Sequence, residues 1–353
     1  MRGERKMKFL VASDHFVRKE HYEELFAKYP EHELKVVFYG EEDRIIMRDM
    51  FREVEEKGPD AVAIPEEMYK EVEDADVIMT HLCPIPSSLI ERGKKLRAIL
   101  TNRGGLENIA VAAATARNIP ILNNPAHNAN AVAEMTVGLM IAESRNIVRS
   151  YYGLKQGDWR ENYSNFGNIW EIKGKTVGLI GFSTIGRLVA EKLSSFGCKI
   201  IASDIKYDPE DELIKRLNIE MVDLPTLMKR SDYVSLHARA NGCILNKEML
   251  SLMKPTAYFI NTARAYMVDY DALYELLRDK KIMGAAIDVF PFEPLGLDYP
   301  FLSLDNVTLT SHRAGDTVNA YSDSPEMIMN DYQLYLEGKR PRFFVNPEVG
   351  MGR

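Results

Sequence analysis

Lys175-Thr-Val-Gly-Leu-Ile-Gly181-Phe-Ser183-Thr184-Ile185-Gly186, then an amphipathic run to Cys198-Lys-Ile-Ile-Ala-Ser-Asp204, decides how the rest of the chain is read. Val177–Ile180 reads as a strand, Gly181 as a tight turn, and the segment from Thr184 as a helix. A helix start of this kind aims unsatisfied amides and a positive dipole end at a pyrophosphate. Gly186 lets that helix pack closely on the strand. Asp204 ends the next strand, 23 residues after Gly181, and is placed to accept hydrogen bonds from both ribose hydroxyls. Its charge repels a 2'-phosphate, so the pattern predicts NAD(H) in preference to NADP(H), with Lys206 weakening the exclusion slightly. The middle glycine of the usual turn is replaced by Ser183. Its Cβ could shift the pyrophosphate, its hydroxyl could donate a hydrogen bond to it, or the site could be a decayed one.

Outward from this stretch the chain alternates short apolar runs with charged helical patterns, the signature of parallel sheets covered by helices. On the N-terminal side strands are expected at Phe9–Ser13, Val36–Tyr39, Ala61–Ile64, Val77–Met79 and Ala98–Leu100. Helices are expected at His21–Tyr29 and Ile45–Lys57, the latter ended by Gly58-Pro59. One long helix is expected from about Asn128 to Tyr152, with Val132, Met135, Leu139 and Ile147 on its buried face. A polar, aromatic segment with Trp159, Tyr163, Phe166 and Trp170 follows, read either as a loop held down by its rings or as an arm packing on a second subunit. Beyond it, strands are expected at Val177–Ile180, Lys199–Ala202, Tyr233–Leu236, Ala257–Ile260, Gly284–Ile287 and Val307–Leu309, and a last helix over about Ala314–Glu337.

A length of 353 residues accommodates two domains with buried cores. With 46% apolar and 27% charged residues and a net charge of -7, the composition offers no electrostatic case for nucleic acid. No 18-residue apolar run predicts a membrane span. No apolar signal segment follows the charged start Met1 to Lys8, so a cytoplasmic protein is expected. Cys83, Cys198 and Cys243 lie far apart and lack metal-ligand spacing, which predicts neither disulfide framework nor metal site.

Three residues at expected strand ends carry matching chemistry. Arg264 follows Phe259-Ile-Asn-Thr-Ala, Glu293 sits between Pro291 and Pro294 after Ala286-Ile-Asp-Val-Phe290, and His312 follows Val307-Thr-Leu-Thr-Ser. The carboxyl ends of an open parallel sheet line its ligand crevice, so the three can converge. A guanidinium holds a carboxylate and polarises an adjacent carbonyl. An imidazolium donates a proton to that carbonyl as hydride arrives. A carboxylate on the far ring nitrogen fixes the tautomer and keeps the acid form available. Taken singly, Arg264 reads as a surface ion pair, Glu293 as solvated and His312 as a helix cap; only their joint placement after a nucleotide turn reverses this. Of the other histidines, His15, His21 and His32 read as solvated and His237 as structural, while His81 and His127 lie near the expected cleft without a partner visible in sequence.

At these residues the chain resembles the D-isomer-specific 2-hydroxyacid dehydrogenases, in particular their phosphoglycerate-dehydrogenase-like branch. The stretches that carry the resemblance are Asn130-Ala-Val-Ala-Glu134, Val177–Gly186, Val234-Ser-Leu-His237, Met253–Arg264, Gly284–Phe290, Glu293-Pro294 and His312, spanning nearly the whole chain. It implies an α/β architecture of two Rossmann-like domains, one flavodoxin-like and one dinucleotide-binding, with parallel sheets and an interdomain active-site cleft. Residues 1–122 and 317–353 would form the discontinuous substrate domain, and 123–316 the NAD-binding domain. Within the latter, about 140–172 would be a dimerisation segment, making a homodimer the expected assembly. The resemblance implies Arg264, Glu293 and His312 as catalytic residues. Gly181, Ser183, Thr184, Ile185, Gly186, Asp204, Ala238, Thr262, Ala263 and the nicotinamide-side Asp288 would contact the cofactor. Arg103-Gly104-Gly105 would join Arg264 in binding a small 2-hydroxy or 2-keto acid, its backbone amides holding an anion. Ser183 and Ala265 depart from glycines common in the family, and the second could reposition Arg264. Formate dehydrogenases carry glutamine at the Glu293 position, which disfavours that activity. D-3-phosphoglycerate dehydrogenase proper remains an alternative, with Arg103 as the charge for a phosphorylated tail, although Thr80-His81-Leu82-Cys83 stands where an Arg-Ser motif is usual. An NADH-sensing interaction protein with little catalysis is the other.

Overall fold

A computed structural model describes residues 6–41 and 43–350, so the first five residues of the charged start lie outside it. The chain forms two compact units, Met1–Asn128 with Thr317–Arg353, and Ala129–Asp316. Each is built on one parallel sheet.

In the first unit β1 (Lys8–Ser13), β2 (Glu33–Phe38), β3 (Val77–Thr80), β4 (Ala98–Thr101) and β5 (Ile121–Leu122) pair in the order β2-β1-β3-β4-β5. Strand alternation sends successive side chains to opposite faces. Leu10, Ala12, Ile78 and Ile99 therefore join one core, while Phe9, Val11, Met79 and Leu100 join another on the far face. That second core is closed by Ile328, Met329 and Tyr332 from the helix Ser324–Leu336, so the chain's last helix belongs to the first sheet. Expected segment Ala61–Ile64 forms no strand. It follows a short 3-10 turn at Pro59–Ala61, is bracketed by prolines, and leaves its residues partly exposed outside the sheet. His32, expected to be solvated, is also corrected: its ring lies 5.3 Å from Phe9 and 6.3 Å from Tyr29, with its side chain 2% exposed.

The second unit holds β6 (Thr176–Ile180), β7 (Lys199–Ser203), β8 (Glu220–Met221), β9 (Tyr233–Leu236), β10 (Tyr258–Asn261), β11 (Gly284–Ile287) and β12 (Val307–Leu309). Their order is β12-β11-β10-β9-β6-β7-β8, all parallel. The short β8 was not foreseen. The chain leaves β6 toward β7 and β8, then returns to place β9 on the other side of β6. This makes the β6–β9 boundary the topological switch point, where a doubly wound sheet opens a crevice at its carboxyl edge.

Two helical expectations are revised. The pattern over Asn128–Tyr152 is two helices, Ala129–Ser144 and Ile147–Lys155, separated by Asn146 in the left-handed region at φ 56°. Asparagine tolerates that conformation, and its side chain is tied to Asn165 at 2.8 Å and to Arg149 at 3.0 Å. Val132 and Leu139 are buried as expected, but the break turns Ile147 outward. The last helical stretch starts only at Val318 and divides into Val318–Ser322 and Ser324–Leu336, because residues 310–314 serve the site described next.

Candidate active site at the carboxyl edge of the second sheet

Three neighbouring strands end in step. β10 pairs with β11 from Tyr258↔Gly284 to Asn261↔Ile287, and β11 with β12 up to Ile287↔Leu309. The residues that follow, Arg264, Asp288 with Glu293, and His312, therefore emerge from adjacent strands on one edge. Gly181 after β6, Asp204 after β7 and Ala238 after β9 leave from the same edge. Parallel pairing alone brings the nucleotide turn and the charged residues to one side of the sheet.

His312 Nδ1 lies 2.7 Å from Glu293 Oε2, and the other carboxylate oxygen accepts the Phe290 N–H at 2.9 Å. Glu293 is thus oriented by backbone and in turn orients the ring. Both side chains keep substantial solvent access while bonded to each other, and the helix-capping reading of His312 fails because Thr317 caps the helix that follows. His312 has φ 53°, unusual for a residue with a side chain. Asp288 explains how this is held. Wholly buried, its carboxylate accepts bonds from the Thr310 hydroxyl at 2.6 Å and from the Arg313 and Ala314 amides at 2.9 and 2.8 Å. Those groups flank His312 on both sides, so Asp288 anchors the loop that presents the ring.

Arg264 is exposed and forms no ion pair among the described residues; its guanidinium donates only to the Ala263 carbonyl, at 2.8 Å. A cation left free at a strand edge is available to an anion. Its backbone is set by buried Asn261, a residue given no role from sequence. The Asn261 amide donates to the Arg264 carbonyl at 3.3 Å and its oxygen accepts the Ala263 N–H at 3.0 Å. Ala265 begins a 3-10 turn and is not among the positive-φ residues, so no glycine is required there. The feared displacement of Arg264 has no backbone cause.

The nucleotide turn is built around two close approaches. Gly181 has φ 92°, and a Cβ there would come within 2.5 Å of the Ala238 nitrogen. A Cβ on Gly186 would meet the Gly181 carbonyl at 2.2 Å, so the helix Thr184–Leu193 can sit against the turn only with glycine. Ser183 is exposed at φ -94°, precedes that helix, and makes no side-chain capping bond, leaving its hydroxyl and the first helical amides of Thr184 and Ile185 facing outward from the chain's own bonding. Asp204 accepts the Phe182 N–H at 2.6 Å and the Lys206 N–H at 3.0 Å, which fixes its carboxylate beside the turn. Below it His237 is buried against the Ser235 hydroxyl at 2.9 Å, and burial pulls its pKa down to about 3, so the ring is neutral. The Thr262 hydroxyl is bonded to Thr136 at 2.8 Å, and Ala263 is partly exposed beside it. A cradle that any Cβ would fill, helix amides and an anchored acid fit a dinucleotide.

In the first unit Arg103 follows β4, but its guanidinium lies 4.1 Å over the Phe51 ring and pairs with Glu107 at 3.5 Å and Glu55 at 3.9 Å. Two glutamates of the same unit thus face its charge, while one guanidinium nitrogen is buried without a hydrogen-bond partner. Gly104 and Gly105 follow it in the same loop, partly exposed. Among the described residues no helix is long and apolar enough to cross a membrane, and no cluster of metal-ligating side chains occurs.

A family model described as D-isomer specific 2-hydroxyacid dehydrogenase, NAD binding domain, matches residues 137–314. Over 289 residues the chain is 37% identical to a glyoxylate reductase of Thermofilum pendens, covering 80% of this chain and 85% of that protein. It is 40% identical over 261 residues to a hydroxypyruvate reductase of Thermotoga maritima, covering 72% and 83%. The NAD-complexed D-isomer specific 2-hydroxyacid dehydrogenase of Lactobacillus delbrueckii ssp. bulgaricus superposes with a TM-score of 0.75 at 25% identity, covering 96% of this chain and all of that one.

Proposed function

The chain belongs to the D-isomer-specific 2-hydroxyacid dehydrogenase family and is an NAD-dependent oxidoreductase of 2-hydroxy and 2-keto acids; from that premise we propose that it interconverts a small 2-keto acid and its D-2-hydroxy acid using Arg264, Glu293 and His312. The observation that carries this reading is the His312–Glu293 pair, held at 2.7 Å on a loop that Asp288 anchors, on the same sheet edge as an unpaired arginine and the nucleotide turn.

When bound, NADH supplies the hydride. Ser183, Thr184 and Ile185 hold its pyrophosphate, and Asp204 takes the ribose hydroxyls and disfavours the 2'-phosphate. Ala238, Thr262, Ala263 and Asp288 border the remainder. The Arg264 guanidinium takes the substrate carboxylate and polarises the neighbouring ketone. His312 gives a proton from Nε2 to the ketone oxygen, while Glu293 accepts the Nδ1 proton's hydrogen bond and so keeps Nε2 directed outward. In oxidation the same ring receives the hydroxyl proton. The glyoxylate and hydroxypyruvate reductases among its relatives support a small substrate.

A panel of 2-keto acids assayed with NADH and NADPH tests this. Turnover of at least one small member, with NADH preferred, is expected. His312→Ala should lower kcat by about 10²- to 10⁴-fold, the usual worth of a positioned acid, with NADH affinity unchanged. A variant whose main defect is NADH binding would overturn the assignment of His312.

We also infer a homodimer built through residues 140–172. Within 147–170 the second unit exposes Tyr151 at 64%, Tyr152 at 65%, Trp159 at 78% and Phe166 at 70%. Aromatic side chains gathered on one segment at these exposures mark an interaction surface.

A further inference from the structure

One exposed cation at the switch point of the second sheet has no part in the mechanism. Arg239 comes two residues after His237, where the chain leaves β9 at the edge that also carries the nucleotide turn. Parallel register sets Leu236 beside Ile180, and the His237 N–H donates to the Ile180 carbonyl at 2.7 Å, so β6 and β9 end together. Beyond that bond the two backbones close up: a Cβ on Gly181 would lie 2.5 Å from the Ala238 nitrogen and 2.6 Å from its Cα. Ala238 and Ala240 both pack against the core of this unit, and Arg239, between them, is exposed. The far end of the loop is fixed as well. The Ile244 and Leu245 amides donate to the Met267 carbonyl at 2.9 and 3.0 Å, on the turn that follows Arg264. A backbone held at both ends thus carries Arg239 along the sheet edge between the nucleotide turn and the Arg264 turn.

We propose that Arg239 is a cofactor-binding residue whose guanidinium pairs with the diphosphate of the dinucleotide. This rests on the reading that the turn from Gly181 to Gly186 holds that diphosphate. The Ser183 hydroxyl and the helix amides are neutral donors, so the turn by itself offers no full positive charge to a doubly charged anion. The other cations nearby are committed or stand elsewhere. Arg187, in the helix that begins at Thr184, pairs with Asp211 at 2.5 Å. Lys206 follows β7, on the opposite flank of the turn, next to the acid proposed to take the ribose. Arg264 is the proposed partner of the substrate carboxylate. Arg239 forms no ion pair or hydrogen bond among the described residues, so an arriving anion displaces no carboxylate from it. A guanidinium presents its donors in a planar fork that fits phosphate oxygens, and such charge-assisted bonds are roughly twice as strong as neutral ones.

Calorimetric binding of NADH, ADP and adenosine separates an effect on the diphosphate from one on the base. Arg239→Met keeps an unbranched apolar stem and removes the charge. It should weaken NADH and ADP by about tenfold or more, the worth of a charge-assisted hydrogen bond, while adenosine, which has no phosphate, changes less than about twofold. Retained adenosine binding also reports that the variant folds. Arg239→Lys keeps the charge without the fork and should recover part of the loss. Added salt should weaken NADH binding more steeply in the wild type than in Arg239→Met, because screening acts on the pair that the variant lacks. Equal losses on ADP and adenosine would overturn the proposal by placing the guanidinium on the base. Unchanged NADH affinity would overturn it too, a raised KM for the keto acid then assigning Arg239 to the substrate. Both outcomes leave the nucleotide turn standing as the cofactor site. A wild-type protein that binds neither NADH nor ADP would overturn that site itself, and this inference with it.

Discussion

At Ser183 the backbone takes φ -94° and ψ -153°, a conformation open to any residue, so the missing glycine leaves no strain in the turn. What changes is chemistry: an exposed hydroxyl, unused by the helix it precedes, stands at the turn proposed to hold the pyrophosphate. Ser183→Ala should therefore weaken NADH binding by about two- to tenfold, the worth of one hydrogen bond, with kcat and fold retained. Titration of intrinsic fluorescence against NADH measures this; an alanine variant that binds as tightly as the parent would mean the hydroxyl makes no contact. Gly181 and Gly186 were legible from spacing because each meets backbone atoms closer than any Cβ tolerates. Asp14 and His81 were not legible as a pair. They are 67 residues apart, and only the β1–β3 register joins them.

Among elements, the junction between helices Ala129–Ser144 and Ile147–Lys155 shows a local pattern overruled by a distant contact. Helical periodicity continues through the break, but Glu143 is buried against Arg149 and the Thr308 hydroxyl, the latter at 2.7 Å, and lies over Gly284, where a Cβ would come within 2.2 Å of its carboxylate. Arg149 also donates to the Asp305 carbonyl, and Arg160 pairs with the Asp305 carboxylate at 2.5 Å. The base of the aromatic segment is thus fastened to the start of β12. Arg149→Ala strands a buried carboxylate and should destabilise the protein by about 3–5 kcal/mol. At about 2–4 °C per kcal/mol for a unit of this size, the Tm should fall by roughly 10 °C. A thermal melt within a degree or two of the parent would refute this account of the junction. No short-range signal could have revealed it, because Thr308 lies 165 residues beyond Glu143.

On the scale of the molecule, the exposed rings between 147 and 170 are the least explained apolar surface of the second unit unless another copy covers them. Tyr151→Asp combined with Trp159→Asp should convert a dimer to monomers in analytical ultracentrifugation at micromolar concentration, since burying two unpaired carboxylates in an apolar contact costs several kcal/mol. A wild-type chain sedimenting as a monomer would end the dimer reading. The sequence by itself determined the class of fold, most strands of both sheets, the nucleotide turn and the strand-end positions of the three side chains proposed to react. All of these are written in short-range terms: apolar runs of strand length, glycines at close approaches, and polar residues just past strand ends. Only the tertiary structure decided that Ala61–Ile64 stays outside the sheet, that both long helices break, and that Arg103 lies against Glu107 and Glu55. It likewise assigned Asp288 to anchoring the His312 loop and gave His81 its carboxylate. Each of these depends on a partner brought close by strand order, and strand order is settled by packing between residues far apart in the chain.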